Sequence, residues 1–213
     1  TVDDSTGLIS PLITIDGGSG SDALVVRGSV AVQQVEYRPG PAVTEGRLTY
    51  DTAWQQPGKD MIIDFVNLEP VIDLVPKTVA LTVYGTNADN AINYVAGPHS
   101  GVVDALFNPA GMVTGLVSID AYETLEFANF TGADDVLEII GLAGDDVVNL
   151  NYQGAAAPAG LERIWVEGND PTASDVVLVN GTSGVDTISF SPTAADAAVM
   201  TGVQQVNRVD IRT

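Results

Sequence analysis

The sequence predicts an all-β protein folded as a parallel β-helix of about five coils, each with three short strands and loops of variable length. Three observations carry this prediction. Apolar and polar residues alternate along many short stretches, a turn rich in glycine and aspartate recurs along the chain, and a second strand-like unit recurs between the copies of that turn. Alternation with a period of two is typical of half-buried strands, whereas helical spacing is nearly absent.

The repeated turn is visible in four stretches that align without a gap. Each has apolar residues two and four positions before a glycine, and an aspartate or asparagine five positions after it. The glycine column contains Gly17, Gly85, Gly141 and Gly181, and the acidic column contains Asp22, Asn90, Asp146 and Asp186. A fifth, weaker copy adds Asp60. This agreement indicates a true internal repeat, with turns near 17–25, 58–62, 85–93, 141–149 and 181–189.

The second unit is a short alternating stretch, and its copies lie at 32–37, 68–73, 122–127, 161–166 and 203–208. One copy per turn gives three strands per coil, with coils stacked about 4.8 Å apart. An antiparallel sandwich would also give many short strands, but it does not require equivalent strands to repeat their residues. We therefore expect a single solenoid domain over 1–213, with a long apolar loop at 95–121 that packs as an extra hairpin or lid.

Composition excludes several functions for this chain of 213 residues. It has 28 acidic against 8 basic residues and a formal net charge of −20, which disfavours nucleic acids and anionic membranes as partners. It has no cysteine, which excludes disulfides and thiol chemistry, and no apolar run of about 18 residues that would predict a membrane-spanning helix. The first residue is a threonine and no signal-peptide pattern follows, so we expect a processed chain or a piece of a longer one.

The first copy of the turn, GGSGSDALV at 17–25, fits the pattern G-G-x-G-x-D-x-U-x at every fixed position. It resembles the calcium-binding nonapeptide of RTX-type (haemolysin-type) repeats, and the chain as a whole resembles the β-strand-repeat surface proteins of bacteria. The resemblance implies calcium ligands at Asp22, Asp146 and Asp186, with Asp60 as a weaker candidate. Calcium takes six to eight oxygen ligands, which carboxylates and backbone carbonyls of adjacent turns can supply.

Three further acidic residues extend this prediction. Asp135 and Asp175 each precede the acid of a repeated turn by 11 residues, and Asp145 is adjacent to Asp146. If Asp135 and Asp175 occupy the corner before the turn, each coil offers two acidic corners. The alternative is that these aspartates only cap their own turns by accepting backbone N–H groups, as Asn90 can do without charge. Both interpretations remain open at this point.

Catalysis has little support in the sequence. Parallel β-helices include polysaccharide lyases and hydrolases, so the alternative function is a carbohydrate-active β-helix enzyme that uses the loop 95–121 as a cleft wall. A lyase would need a basic residue as proton acceptor, yet Lys59, Lys77, Arg163 and Arg208 show no clustering. The only histidine, His99, has no evident partner. We therefore predict that the chain is not an enzyme.

These observations predict a non-catalytic structural or adhesive module, extracellular or at the cell surface, stabilised by calcium. Partners would be further copies or repeats stacked end to end, and surface polysaccharide is a further candidate, for which Trp54 on an insertion is a potential sugar-stacking platform. Trp165 lies between Ile164 and Val166, so it faces outward if those two residues are in the core.

Overall fold

The computed structural model of the protein describes residues 1–10, 12–54, 59–97, 112–152, 156–170, 174–203 and 206–212. Its regular structure consists of β-strands, which confirms the all-β prediction. Among the described residues, no helix is long and apolar enough to cross a membrane.

Eighteen strands follow one another along the chain. They are β1 (Val2–Asp3), β2 (Ile13–Asp16), β3 (Leu24–Arg27), β4 (Val32–Pro39), β5 (Glu45–Asp51), β6 (Met61–Val66), β7 (Val71–Leu74), β8 (Lys77–Tyr84), β9 (Ala91–Ala96), β10 (Gly115–Ile119), β11 (Leu125–Phe127), β12 (Asp135–Ala143), β13 (Val147–Asn151), β14 (Leu161–Asp170), β15 (Val176–Asn180), β16 (Ser189–Ala194), β17 (Ala197–Thr201) and β18 (Arg208–Arg212).

The strands form two mixed sheets. The eight-stranded sheet has the order β1-β3-β7-β11-β10-β9-β13-β15, and its strands are parallel except for β10, which is antiparallel to both neighbours. The ten-stranded sheet has the order β16-β17-β18-β14-β12-β8-β4-β5-β6-β2. Its centre, from β4 to β18, is parallel, while β5 and β17 are each antiparallel to both neighbours.

The prediction of a parallel β-helix with five coils is therefore wrong. Three strands per coil would stack into three parallel sheets, whereas the described strands form two sheets interrupted by antiparallel strands, and they do not close into coils. The physical reason is visible at 38–47, a stretch rich in proline and glycine that reads as an insertion. It is the tip of a hairpin whose turn lies at 40–44, and the residues that follow form β5, which pairs antiparallel with β4 and β6. Similarly, the described end of the predicted 95–121 loop forms β10, paired antiparallel with β9, while 98–111 lie outside the described residues.

The apolar core contains residues of both sheets and follows the period-two alternation. Leu137 and Ile139 of β12 are fully buried in the core, whereas Glu138 between them is only half-buried on the opposite, outer face of the sheet. Leu150 of β13, in the other sheet, belongs to the same core cluster. Burial of such side chains is the main stabilising contribution to the fold.

One ion pair is buried within this core. Lys77 Nζ lies 2.9 Å from Asp73 Oδ2, and neither side chain has any exposed surface. The ammonium group also donates hydrogen bonds to the carbonyls of Val75 (3.0 Å) and Ala128 (2.6 Å). The ammonium group is thus held by two carbonyl oxygens and a carboxylate, and a buried charge is tolerated when it is paired in this way.

Three connections between the sheets lie side by side. The chain passes from the ten-stranded to the eight-stranded sheet between β8 and β9, between β12 and β13, and between β14 and β15. Because β8, β12 and β14 are neighbours, and β9, β13 and β15 are neighbours, the three turns stack along one edge of the molecule. Parallel pairing thus brings together polar residues that are far apart in sequence.

Candidate functional site

The stacked turns between the two sheets form a cluster that we call the acidic corner. Its residues come from the three turns and from the end of β10, and they are Asp89, Asn90, Asp120, Asp145, Asp146 and Asp175.

Side chains of the acidic corner accept hydrogen bonds from the backbone of the neighbouring turn. Asp146 Oδ1 accepts the N–H of Asn90 (2.8 Å), and Asp175 Oδ1 accepts the N–H of Asp146 (2.9 Å). Asp89 Oδ1 accepts the N–H of Asp145 (3.0 Å). Each carboxylate therefore satisfies a backbone donor just before the adjacent parallel strand begins, and this links the turns to one another.

Asn90 occupies a position where an amide is better suited than a carboxylate. Its Oδ1 accepts the N–H of Thr86 (2.7 Å), while its Nδ2 donates to Asp120 Oδ2 (2.8 Å). Asp120 Oδ1 in turn accepts the N–H of Ala91 (2.8 Å). A carboxylate at position 90 could not donate this hydrogen bond and would repel Asp120, so the Asn in the otherwise acidic column has a physical explanation.

Gly141 and Gly144 of the turn at 141–149 both occupy positions where a larger residue would not fit. A Cβ atom at Gly141 would overlap Asp146 Oδ2 and would lie 2.9 Å from the carbonyl oxygen of Gly168, so this glycine makes room for the carboxyl group. Its φ lies outside the left-handed region. Gly144, three residues later, has a φ of 133°, a conformation that other residues rarely adopt. Gly141 is thus required by space, and Gly144 both by its backbone conformation and by space, because a Cβ there would lie 2.6 Å from the carbonyl carbon of Ala88.

Burial and neighbouring charges affect the central carboxyl group. Burial is the largest effect and raises the pKa of Asp146, the hydrogen bond from the Asn90 N–H opposes the rise, and the nearby carboxylates of Asp175, Asp89 and Asp120 add to it. Its second oxygen, Oδ2, is buried and accepts no hydrogen bond from the described residues. The corner therefore holds more negative charge than its own hydrogen bonds fully offset.

Of the predicted metal ligands, Asp145, Asp146 and Asp175 come together and the other four do not. Asp60 Oδ2 accepts hydrogen bonds from the backbone N–H (2.8 Å) and hydroxyl (2.6 Å) of Thr52 and closes the base of the segment between β5 and β6. Gly58 of the same copy lies outside the described residues.

Asp135 begins β12, while Asp186 and Asp22 lie in two separate connections between strands. Asp135 Oδ2 accepts the N–H of Gly132 (2.6 Å), and burial raises the pKa of Asp135. Asp186 accepts the N–H (2.9 Å) and hydroxyl (3.0 Å) of Thr182. Asp22 is half-buried, and its carbonyl oxygen accepts the N–H of Glu69 (2.8 Å). The hydrogen bonds of Asp135 and Asp186 match the capping interpretation.

The structure corrects the alignment of the turns. The residue next to Asp146 in the acidic corner is Asp175, whereas Asp186 lies beyond the far end of β15. The glycine that makes room for the Asp175 carboxyl group is Gly168. This turn is two residues longer than the other copies, so an alignment without gaps misses it. In the sequence, this turn is marked by Gly168, by Asp175 and by the apolar run VVLV that follows. Asp89 occupies the same column of the repeated turn as Asp145, whereas Asp120 carries no comparable signal, because only the pairing of β10 with β9 brings it to the corner.

The calcium prediction is not tested by the arrangement of the corner. No three acidic side chains among the described residues are placed to hold one metal ion. Several oxygens of the corner accept backbone N–H groups, and calcium takes six to eight oxygen ligands. The calcium prediction therefore stands on the sequence resemblance alone.

The sequence also singled out one histidine and two tryptophans. His99 lies outside the described residues. Trp165 faces outward, as predicted, because Ile164 and Val166 on either side of it are buried in the core. Trp54 and Trp165 line one cleft on the outer face of the ten-stranded sheet.

Comparisons of the chain with protein-family models, with curated protein sequences and with solved structures found no match. The resemblance to RTX-type repeats consequently rests on the residues of the turns alone.

Proposed function

We propose that the chain is a non-catalytic structural and adhesive module that works outside the cell or at its surface. The observation that carries this proposal is the acidic corner. Its carboxylates, the side chains best suited to catalysis, accept hydrogen bonds from the backbone of neighbouring turns. Groups used in this way stabilise a rigid sheet edge, whereas a catalytic carboxylate must face its substrate.

The buried lysine supports the non-catalytic assignment. Lys77 has no exposed surface, and its ammonium group is held by two backbone carbonyls and by Asp73, so it is not available to a substrate as a base. The alternative function, a carbohydrate-active β-helix enzyme, was an analogy drawn from the fold. Because the chain is not a parallel β-helix, the analogy no longer supports that alternative.

Exposed strand edges support an adhesive role. β15 ends the eight-stranded sheet, and its Val176 and Leu178 are exposed. β16 ends the ten-stranded sheet with Phe190 exposed. Unpaired edges with apolar side chains favour pairing with another chain, either further copies or neighbouring repeats. The absence of cysteine and the strong acidity are consistent with a location outside the cell.

Retention of coated beads under flow tests the proposal. Beads that carry the folded chain are expected to stay on bacterial cell layers and on beads with the same chain, while beads that carry the heat-unfolded chain wash off. The polysaccharide recovered from the layer should keep its length. Equal loss of both kinds of bead, or release of shortened polysaccharide, would contradict the proposal.

A further inference from the structure

A cleft of about 570 Å³ lies on the outer face of the ten-stranded sheet, and we call it the outer cleft. Its floor is formed by the parallel strands β4, β8, β12 and β14. Pairing aligns Glu36, Thr82, Glu138 and Trp165 in one outward row across these four strands. A regular sheet thus gives the cleft a rigid base.

The outer cleft contains both tryptophans of the chain. Trp165 belongs to β14, and Trp54 belongs to the segment between β5 and β6, and both rings are half-buried. Tyr84 also lines the cleft, with the guanidinium of Arg38 3.4 Å from its ring centroid. Half-buried rings of this kind combine a large apolar face with access to a ligand.

Trp54 and Lys59, the described residues on either side of 55–58, are each held by a hydrogen bond to β4. The N–H of Trp54 donates to Gln33 Oε1 (2.7 Å). Lys59, at the other end of the same segment, donates to Glu36 Oε1 (2.9 Å) and to Asp51 Oδ2 (2.6 Å). Groups ordered in advance lose less conformational entropy on binding.

The floor presents fixed hydrogen-bond acceptors. The hydroxyl of Thr82 donates to Glu138 Oε2 (2.7 Å) and accepts from Gln34 Nε2 (3.1 Å). Burial raises the pKa of Glu138, the Thr82 hydrogen bond opposes the rise, and Glu167 on the same cleft adds to it. The carboxyl groups of Glu36, Glu138 and Glu167 all line the cleft. Carboxylates are acceptors only, so they suit a ligand rich in O–H donors.

We propose that the outer cleft binds a neutral polysaccharide, with sugar rings stacked on Trp54 and Trp165 and hydroxyl groups donating to Glu138 and Glu167. A pyranose ring has an apolar face of C–H groups and a rim of hydroxyl groups, which matches aromatic rings beside carboxylates. The three glutamates and the net charge of −20 disfavour a polyanionic glycan. This inference rests on the proposed adhesive function and names the chemistry of its partner.

Intrinsic fluorescence tests the inference directly, because both emitters line the cleft. Titration with cellohexaose, mannohexaose and, as the acidic counterpart, a galacturonic acid hexamer is monitored through tryptophan emission. We expect a saturable change with at least one neutral hexasaccharide below about 1 mM and none with the acidic one. No saturable change with either neutral probe, or preference for the acidic one, overturns the proposal.

Substitutions locate the binding. Trp165→Ala should weaken binding of the responding neutral probe about tenfold, Trp165→Phe should retain most of it, and Glu138→Gln should weaken it several-fold. Val43→Ala, which trims an exposed apolar side chain in the turn between β4 and β5, is the matched control and should bind as the wild type does. Circular dichroism melts confirm that each variant is folded. Equal affinity of Trp165→Ala and Val43→Ala would overturn the assignment to this cleft.

The bead assay separates this inference from the function on which it rests. If beads are retained but neither neutral probe changes the emission, the adhesive function stands and the outer cleft is not its site. If a neutral probe binds but is recovered as shorter products, the cleft inference stands and the non-catalytic assignment fails.

Discussion

Asp175 Oδ1 accepts a hydrogen bond from the backbone N–H of Asp146 at 2.9 Å, although the two residues are 29 positions apart. This contact links the turn before β15 to the turn before β13. It repeats the contact between Asp146 and Asn90 one strand further along the sheet. The acidic corner is therefore a series of equivalent hydrogen bonds between adjacent turns.

Substitution of Asp175 tests how much one such hydrogen bond contributes to the stability of the fold. Asp175→Ala removes the acceptor and leaves the Asp146 N–H without it, so we expect a loss of about 1–2 kcal/mol in the free energy of unfolding. Asp175→Asn keeps an acceptor oxygen and should cost less than half as much. Urea unfolding of both variants measures the difference. Equal losses would show that charge, and not the hydrogen bond, is what position 175 contributes.

The close approach of other atoms to Gly141 gives a second prediction. Gly141→Ala would place a Cβ atom against Asp146 Oδ2 and 2.9 Å from the Gly168 carbonyl oxygen, and it should destabilise the fold by about 1–3 kcal/mol. Gly184→Ala is the matched control, since the nearest atom to its Cβ would be Thr182 Oγ1 at an ordinary 3.5 Å. We expect that variant to lie within about 0.5 kcal/mol of the wild type. Thermal unfolding compares them, and similar melting points would refute the spatial explanation.

Asp4 predicts a pH dependence of stability. Its side chain is fully buried, and neither carboxyl oxygen accepts a hydrogen bond from the described residues. Burial, followed by the charges of Asp73 and Asp3, raises the pKa of Asp4 from 3.8 to about 6. The folded state therefore binds a proton more tightly than the unfolded state, and stability should fall as pH rises from about 4 to above 6.

The expected decrease in the free energy of unfolding over this pH range is about 1–3 kcal/mol. Asp4→Asn, which carries no ionisable group, should flatten the decrease and be more stable than the wild type at pH 7. Asp196→Asn is the control, because Asp196 is exposed in the turn between β16 and β17 and is not among the charges that raise the pKa of Asp4. Urea unfolding between pH 4 and pH 8 measures the slope, and a slope unchanged in Asp4→Asn would exclude Asp4 as its source.

The buried ion pair gives a prediction about the core. Lys77→Met leaves the Asp73 carboxylate buried without its cation. We therefore expect the free energy of unfolding to fall by about 3–5 kcal/mol. Arg47→Met breaks an exposed pair with Asp64 and should cost no more than about 1 kcal/mol. Chemical unfolding of both variants provides the comparison. Near-equal losses would mean that Asp73 takes up a proton or water when the lysine is removed.

Alternation in the sequence was sufficient for the strand class and for the direction of many side chains. It placed Leu137 and Ile139 inside and Trp165 outside, because each strand has a buried and an outer face. It did not reveal the sheet topology. A strand such as β5 has the same alternation whether it runs parallel or antiparallel to its neighbour, and the proline and glycine before it fit both a hairpin and an insertion.

The acidic corner could be predicted only in part for a related reason. Asp145 and Asp146 lie in a copy of the repeated turn, and Asp175 was recognised as acidic but assigned to another corner. Asp120 reaches the corner through the antiparallel pairing of β10 with β9, a long-range contact that no local pattern encodes. The burial of Asp4 beside Gly28 is equally non-local, since a Cβ at Gly28 would overlap its carboxyl group across 24 residues of chain.

The central claim is that the acidic corner is held together by hydrogen bonds between its own groups. The most direct test is the melting temperature of the wild type and of Asp146→Asn, each measured in EDTA and in millimolar calcium. The account predicts that calcium shifts the wild-type midpoint by no more than about 1 °C, and that Asp146→Asn, which keeps the acceptor for the Asn90 N–H, behaves in the same way. A rise of several degrees in calcium that Asp146→Asn abolishes would contradict the account and establish the corner as a metal site.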